Sequence, residues 1–217
     1  MEPLMSSLHE VGIHASQERL GKLLSERLAP GADRTAIDAR IWNLFGETWA
    51  VMFTDLSGFS RHVAEFGIVH FLQVIYEAQR IFTPCVDKND GILLKVEGDS
   101  MLIIFRTVAS ALQCAIDMQR TAKRYNADKP QEEHILQCIG LGYGPLLRIG
   151  DDDVFGREVN AASKLGEDIA QPWEILVTES VQAAAASTAT EIPGLQFQPI
   201  ADIPPGANSA ARLLYDL

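Results

Sequence analysis

Between Gly91 and Phe105 the chain reads GILLKVEGDSMLIIF. Two strand-like apolar runs flank a Gly-Asp pair, the pattern of a β-hairpin closed by a tight turn. Glu97 and Asp99 bracket the turn glycine. An aspartate there can make an Asx turn with its own backbone. It can also hold a metal, and the surrounding sequence bears on which.

Upstream, TWAVMFTD (Thr48 to Asp55) is a short, mostly apolar run bounded by turn signals, as a central strand is, and LSGFS follows as a turn. Val63, Phe66, Leu72, Ile75, Ala78 and Phe82 recur at helical spacing through one long amphipathic helix. Downstream, Val108, Leu112, Ala115, Met118, Ala122 and Tyr125 mark a second long helix. HILQCIGLGYGPLLRIG reads as a strand pair, VNAASKLGEDIA as a short helix, EILVT as a strand and ARLLYDL as a closing strand. The order β-α-β-β-α-β is that of the ferredoxin-like class of α+β sandwich. No internal repeat interrupts it, and QAAAASTAT (Gln182 to Thr190) reads as a helix end and loop.

The first 46 residues read as a helical arm. Leu20, Leu23, Leu24 and Leu28 share a stripe that Pro30-Gly31 stops, and Ile37, Ile41, Leu44 and Phe45 form another ending at Gly46. Such a pair cannot bury its stripes alone, so it is expected to pack on the main domain or on a second copy of it.

The 217-residue chain is 47% hydrophobic and can bury a proper core. Its net charge of −11 argues against a nucleic-acid or anionic-membrane partner. A small anionic ligand stays open if local cations or metals bridge the charge. Cys85, Cys114 and Cys138 follow no ligand or disulfide pattern, which fits buried thiols in a reducing compartment. The N-terminus has no basic region leading into an apolar one, and no apolar run nears the ~20 residues of a membrane helix. A cytoplasmic location is expected. The five histidines form no ligand-spaced cluster, and Trp42, Trp49 and Trp173 read as packing anchors.

Asp55 falls where the first strand ends, and Asp99 in the turn of the next hairpin. In a ferredoxin-like sheet those strands can be central neighbours, and their carboxylates then converge. Mg²⁺ takes one or two carboxylates and completes its octahedron with water and phosphate oxygens. Two such cations activate an attacking oxygen and stabilise a leaving one. The alternative is that Asp55 caps the following helix and Asp99 only shapes the turn. A third element bears on the choice. DDDVFGREVNAASKL (Asp151 to Leu165) puts Asn160 and Lys164 on one helix face, with Asp153 in the loop before them.

FTDLSGFS, KVEGDSMLIIF and DVFGREVNAASKL, in that order on those elements, together resemble the class III nucleotidyl cyclase catalytic domain. The resemblance runs from Thr48 to the C-terminus and implies a catalytic domain over 47–217 behind a 1–46 arm. It implies cyclisation of a nucleoside triphosphate, with the ribose 3′-oxygen attacking the α-phosphate and pyrophosphate leaving. By the resemblance Asp55 and Asp99 hold two Mg²⁺ or Mn²⁺ ions. The backbone of Leu56, Ser57, Gly58 and Phe59 wraps the phosphates, and Asn160 positions the ribose. Lys95 and Asp153 match the base-reading pair. A lysine donates to adenine N1 and a carboxylate accepts from the N6 amine, so adenylate cyclase activity is expected. Cytosine shows the same acceptor–donor pair, and some members of the family make cyclic pyrimidine nucleotides in anti-phage defence. The family works as a dimer with shared sites, so a homodimer is expected.

Three departures accompany the resemblance. Lys164 stands where the family has a transition-state arginine, and keeps the charge without the planar fork. Cys138 stands where an arginine often opens the strand. The tail has no lysine at the family's phosphate-binding place, with only Arg212 nearby. A catalytically weak or silent dimerising, nucleotide-sensing module is therefore a further alternative.

Overall fold

A computed structural model describes residues 15–187, 192 and 194–216, with the side chains of residues 59–62 outside the description. His9, His14, the side chain of His62 and the end of the alanine-rich stretch lie outside the described residues. Two compact units are present, one of residues 1–47 with 145–156, the other of 48–144 with 157–217.

The larger unit is built on a sheet whose strands lie in the order β2-β3-β1-β4-β6-β8-β7. They are β1 (Gly46–Leu56), β2 (Ile92–Glu97), β3 (Ser100–Phe105), β4 (Gln137–Ile149), β6 (Ile175–Thr178), β7 (Gln196–Pro199) and β8 (Ala210–Leu214), with β5 (Asp153–Phe155) paired to β4 off this path. Between β1 and β2 run α3 (Phe59–Phe66) and α4 (Ile68–Lys88), and between β3 and β4 runs α5 (Val108–Asn126). This is the expected βαββαβ core within a mixed α+β fold. Alternate residues of each strand face the helices. Ala50 and Met52 of β1, Ile103 and Phe105 of β3, Ile139 and Leu141 of β4 and Ile175 and Val177 of β6 pack there with Phe71, Phe82, Leu112 and Met118. On the other face Cys138, Leu165, Ala170, Leu176 and Ala210 form a small cluster.

The helix expected over Val63 to Phe82 is broken at Gly67, whose φ of 85° ends α3. The break shifts the helical phase. Phe71 and Val74 are buried, while Phe66 and Leu72, expected inside, are exposed. The expected strand pair over His134 to Gly150 is instead one 13-residue strand, β4. Its glycines are not turn residues. A Cβ on Gly140 would meet the Ala162 carbonyl oxygen at 2.2 Å, and one on Gly142 that of Glu158 at 2.4 Å. They let α6 (Arg157–Ser163) press its backbone on the strand. Strand β7 was not foreseen in QFQP, a short polar edge segment ending in proline.

In the smaller unit α1 (Ala15–Leu28) and α2 (Arg34–Phe45) are the arm's two helices. Asp33 caps α2, its carboxylate accepting from the Ala36 amide. Leu23, Ile37, Ile41 and Phe45 are buried around Ile149, at the far end of β4. The arm thus covers part of its stripes with residues 145–156 of the same chain, while Leu28 and Leu44 stay exposed. Among the described residues no helix is long and apolar enough to cross a membrane.

Candidate active site

The β1–β3 register pairs Thr54 with Met101, which brings Asp55 level with Ser100. The Ser100 hydroxyl donates to Asp55 Oδ1 at 3.3 Å. The β2–β3 register pairs Glu97 with Ser100, so Gly98 and Asp99 make a two-residue turn, with Gly98 at φ 59°. Asp99 therefore sits beside Asp55. Burial first, and then the Asp99 charge, push the Asp55 carboxyl up to about 6. Burial also raises Asp99. The Glu167 charge adds to both, and among the described residues no cation is a cause of either shift. Two hard oxygen donors held together against their own repulsion fit a divalent cation such as Mg²⁺ or Mn²⁺. Among the described residues no group of three or more His, Cys, Asp or Glu side chains is placed to hold a metal ion.

Lys95 is placed by a feature the sequence does not announce. The register jumps from Leu93–Ile103 to Lys95–Leu102, a β-bulge at Leu94. Without it, Lys95 would lie opposite Met101, on the core face. With it, Lys95 shares a face with Leu102, Phe53 and, one pleat on, Asp55. Its ammonium pairs with Glu97 at 2.9 Å.

Glu158 fixes α6 on the sheet. It is 4% exposed, and its carboxylate accepts from the Thr178 hydroxyl at 2.7 Å, the Ser180 hydroxyl at 3.0 Å and the Tyr143 amide at 3.2 Å. Asn160, on the same helix, is exposed. Helix α6 runs into a π-helical turn over Lys164–Ile169, closed by Ala170 N–H donating to Leu165 C=O at 2.8 Å. Lys164 is exposed and ion-paired with Asp168, not with Asp55 or Asp99. Gly166 lies on the sheet, where a Cβ would meet the Phe53 carbonyl oxygen at 2.7 Å, and so carries Glu167 towards the two aspartates.

At the end of β1 and in the loop after it the amides face different partners. The Leu56 amide donates to the Asp55 carboxylate, and Ser57 N–H donates to Leu136 C=O at 2.9 Å. Gly58, at φ 94°, opens α3 without any side-chain cap, and Phe59 is the first helical residue. Cys138 is buried within reach of the Asp55 charge, and burial with that charge pushes its thiol up to about 12. Arg212 is ion-paired with Glu174.

In the smaller unit Asp153 opens β5 and pairs in register with Ile149, and its Oδ1 accepts from the Val154 amide at 2.9 Å.

The family model for the adenylate and guanylate cyclase catalytic domain matches residues 46–197. The chain belongs to that family. It is 25% identical over 132 residues to the Rhizobium meliloti (strain 1021) protein named "Putative adenylate cyclase 3", covering 61% of this chain and 22% of that protein. The match thus spans about a fifth of the length of that curated relative. An adenylate/guanylate cyclase/hydrolase from Silicibacter pomeroyi superposes with a TM-score of 0.66 at 24% identity, over 79% of this chain and 98% of that one. The adenylyl cyclase CyaB of P. aeruginosa gives 0.61 at 19% identity, over 79% and 96%. These two likenesses show the fold. Domains of the family generally use divalent metals, act on nucleoside triphosphates and often dimerise.

Ser100, Glu158 and Glu167 went unnoticed in the sequence. Ser100 had a signal, since it directly follows the turn and must face the neighbouring strand end. Glu158 and Glu167 had none, because an acid in a helical turn reads as solvated.

Proposed function

We propose that this chain is an adenylate cyclase that converts ATP to 3′,5′-cyclic AMP and pyrophosphate at the interface of a homodimer. The observation that carries the proposal is the pair Asp55 and Asp99, brought together at adjoining strand ends with both carboxyls pushed up by burial. Asp55 and Asp99 would hold two Mg²⁺ or Mn²⁺ ions, which when bound lower the pKa of the 3′-hydroxyl and neutralise triphosphate charge. In the reaction the ribose 3′-oxygen bonds to the α-phosphorus. The bond from that phosphorus to the β-phosphate bridging oxygen breaks, pyrophosphate departs, and the hydroxyl proton passes to solvent.

The chain's residues orient the parts. The uncapped amides at Gly58 and Phe59 offer donors to phosphate oxygens. Asn160 hydrogen-bonds the ribose. Lys95 donates to adenine N1 and Asp153 accepts from the N6 amine. Lys164 meets the developing phosphate charge after leaving Asp168, an exposed pair of little stability that is easily opened. One subunit supplies Asp55 and Asp99 and the other Lys95, Asp153 and Asn160, so two equivalent sites are expected.

A second reading, a slow or silent module that binds nucleotide, is favoured by the uncharged Cys138 beside Asp55 and by Lys164 in its ion pair. Incubation with ATP, GTP, CTP and UTP separately, under Mg²⁺ and then Mn²⁺, with products identified by mass, decides between them. Cyclic AMP is expected. Cyclic CMP would move the assignment to a pyrimidine cyclase, and cyclic UMP would overturn the donor–acceptor pairing. No product from a demonstrated dimer would favour the silent module.

A further inference from the structure

The arm and Asp153 share one small core. Ile149, buried among Leu23 of α1 and Ile37, Ile41 and Phe45 of α2, is the cross-strand partner of Asp153. Directly opposed residues in an antiparallel pair lie only about 5 Å apart, so what fixes Ile149 fixes Asp153. Helix α1 also touches the turn between them. The Gln17 side-chain amide donates to Asp152 Oδ2 at 2.9 Å, and a Cβ on Gly150 would lie 3.9 Å from Ser16 Cβ. Arg148 braces the turn from within, donating to the Gly150 carbonyl at 3.2 Å and to Asp151 Oδ1 at 2.7 Å. The β5 strand is three residues long, and three register pairs to β4 are too few to hold a hairpin tip alone.

We infer that α1 and α2 are the scaffold of base recognition: Leu23, Ile149 and Gln17 are positioning residues that set the place of Asp153 and so the preference for adenine. This rests on the reading of Asp153 as a base acceptor. The arm's interior is then coupled to nucleotide choice.

The test compares Leu23→Ala, Gln17→Ala, Asp153→Ala and the double variant Leu23→Ala/Asp153→Ala in the full chain. Affinity is measured for 3′-deoxy-ATP and 3′-deoxy-GTP, which lack the attacking hydroxyl, and backbone amide exchange is followed over residues 147–155. Leu23→Ala should speed exchange at Val154 and Phe155 and weaken 3′-deoxy-ATP by roughly three- to tenfold, the effect of one misplaced hydrogen bond. It should narrow the preference over 3′-deoxy-GTP and add nothing in the Asp153→Ala background. Gln17→Ala, which removes one exposed bond and spares the core, should act in the same direction more weakly. Unchanged exchange in Leu23→Ala, or a full further loss of affinity in the Asp153→Ala background, would overturn the inference. If Asp153→Ala alone left 3′-deoxy-ATP binding unchanged, the base-reading role itself would fail. The exchange data would still say whether the arm holds the hairpin.

Discussion

Asp55 and Asp153 are both carboxylates at strand ends, yet very different amounts of protein hold them. Asp55 is set by the register of two central strands whose neighbours Met52, Ile103 and Phe105 are wholly buried in the main core. Asp153 is set by a three-residue strand resting on a core of five buried side chains. The residue assigned to chemistry is placed by the part of the fold that cannot shift without unfolding. The residue assigned to recognition is placed by a smaller core. Chemistry is the same for every nucleotide, so under the proposed roles a change at Asp153 should alter base preference and one at Asp55 should alter turnover.

If that contrast is sound, changes at the metal corner should be the most severe. Asp55→Ala or Asp99→Ala should lower turnover by about 10³-fold or more, since metal-based charge stabilisation supplies several kcal/mol and each 1.4 kcal/mol is a decade. Sedimentation should show the proposed dimer intact. Turnover near wild type in either variant would break the comparison at its stronger end.

Glu158 comes next. Its replacement by alanine leaves the Tyr143 amide and the Thr178 and Ser180 hydroxyls without their buried acceptor. A loss of about 3 kcal/mol in urea unfolding is expected. Glu158→Gln, which keeps one carbonyl acceptor, should lose less.

The Asp55 carboxyl gives a pH signature. Its pKa in the folded protein is about 6, above the ordinary 3.8, so the fold favours the protonated form. Metal-free protein should therefore be most stable below about pH 4 with respect to this group, and lose that contribution as pH rises through about 6. Asp55→Asn should flatten this window and raise the metal-free melting temperature at pH 7. Added Mg²⁺ should raise that of the wild type and not of the variant. A melting temperature indifferent to both would remove the electrostatic case for a metal.

The smallest effect is expected at Lys164. Lys164→Arg should raise turnover roughly three- to tenfold, the gain from one further charge-assisted hydrogen bond. A fall would show that the pair with Asp168 is itself needed.

What the sequence disclosed and what it hid follow from the same physics. The Gly-Asp turn and the apolar runs around it were legible because strand periodicity and turn chemistry are local. So was the closeness of Asp55 and Asp99, once the strands were taken as neighbours. The bulge at Leu94 was not, because a leucine suits either face of a strand, and without the bulge Lys95 would have pointed into the core. The helix break at Gly67 was masked by apolar residues on both sides. The run from His134 to Gly150 read as a strand pair, whereas it is one strand whose Gly140 and Gly142 serve close packing against α6. That the arm needs a partner was legible, but not that Ile149 would be part of it, since Ile149 lies more than 100 positions beyond Leu23.

The three thiols carry one more consequence. Cys85, Cys114 and Cys138 are all buried, and burial raises the pKa of each. A maleimide at neutral pH should find almost no thiolate while the protein stays folded. A cysteine introduced at exposed Asp151 or Asp152 would then be the one reactive thiol. A fluorophore there would ride on the turn beside Asp153, and under the proposed role of that residue its emission would report when a nucleotide base arrives.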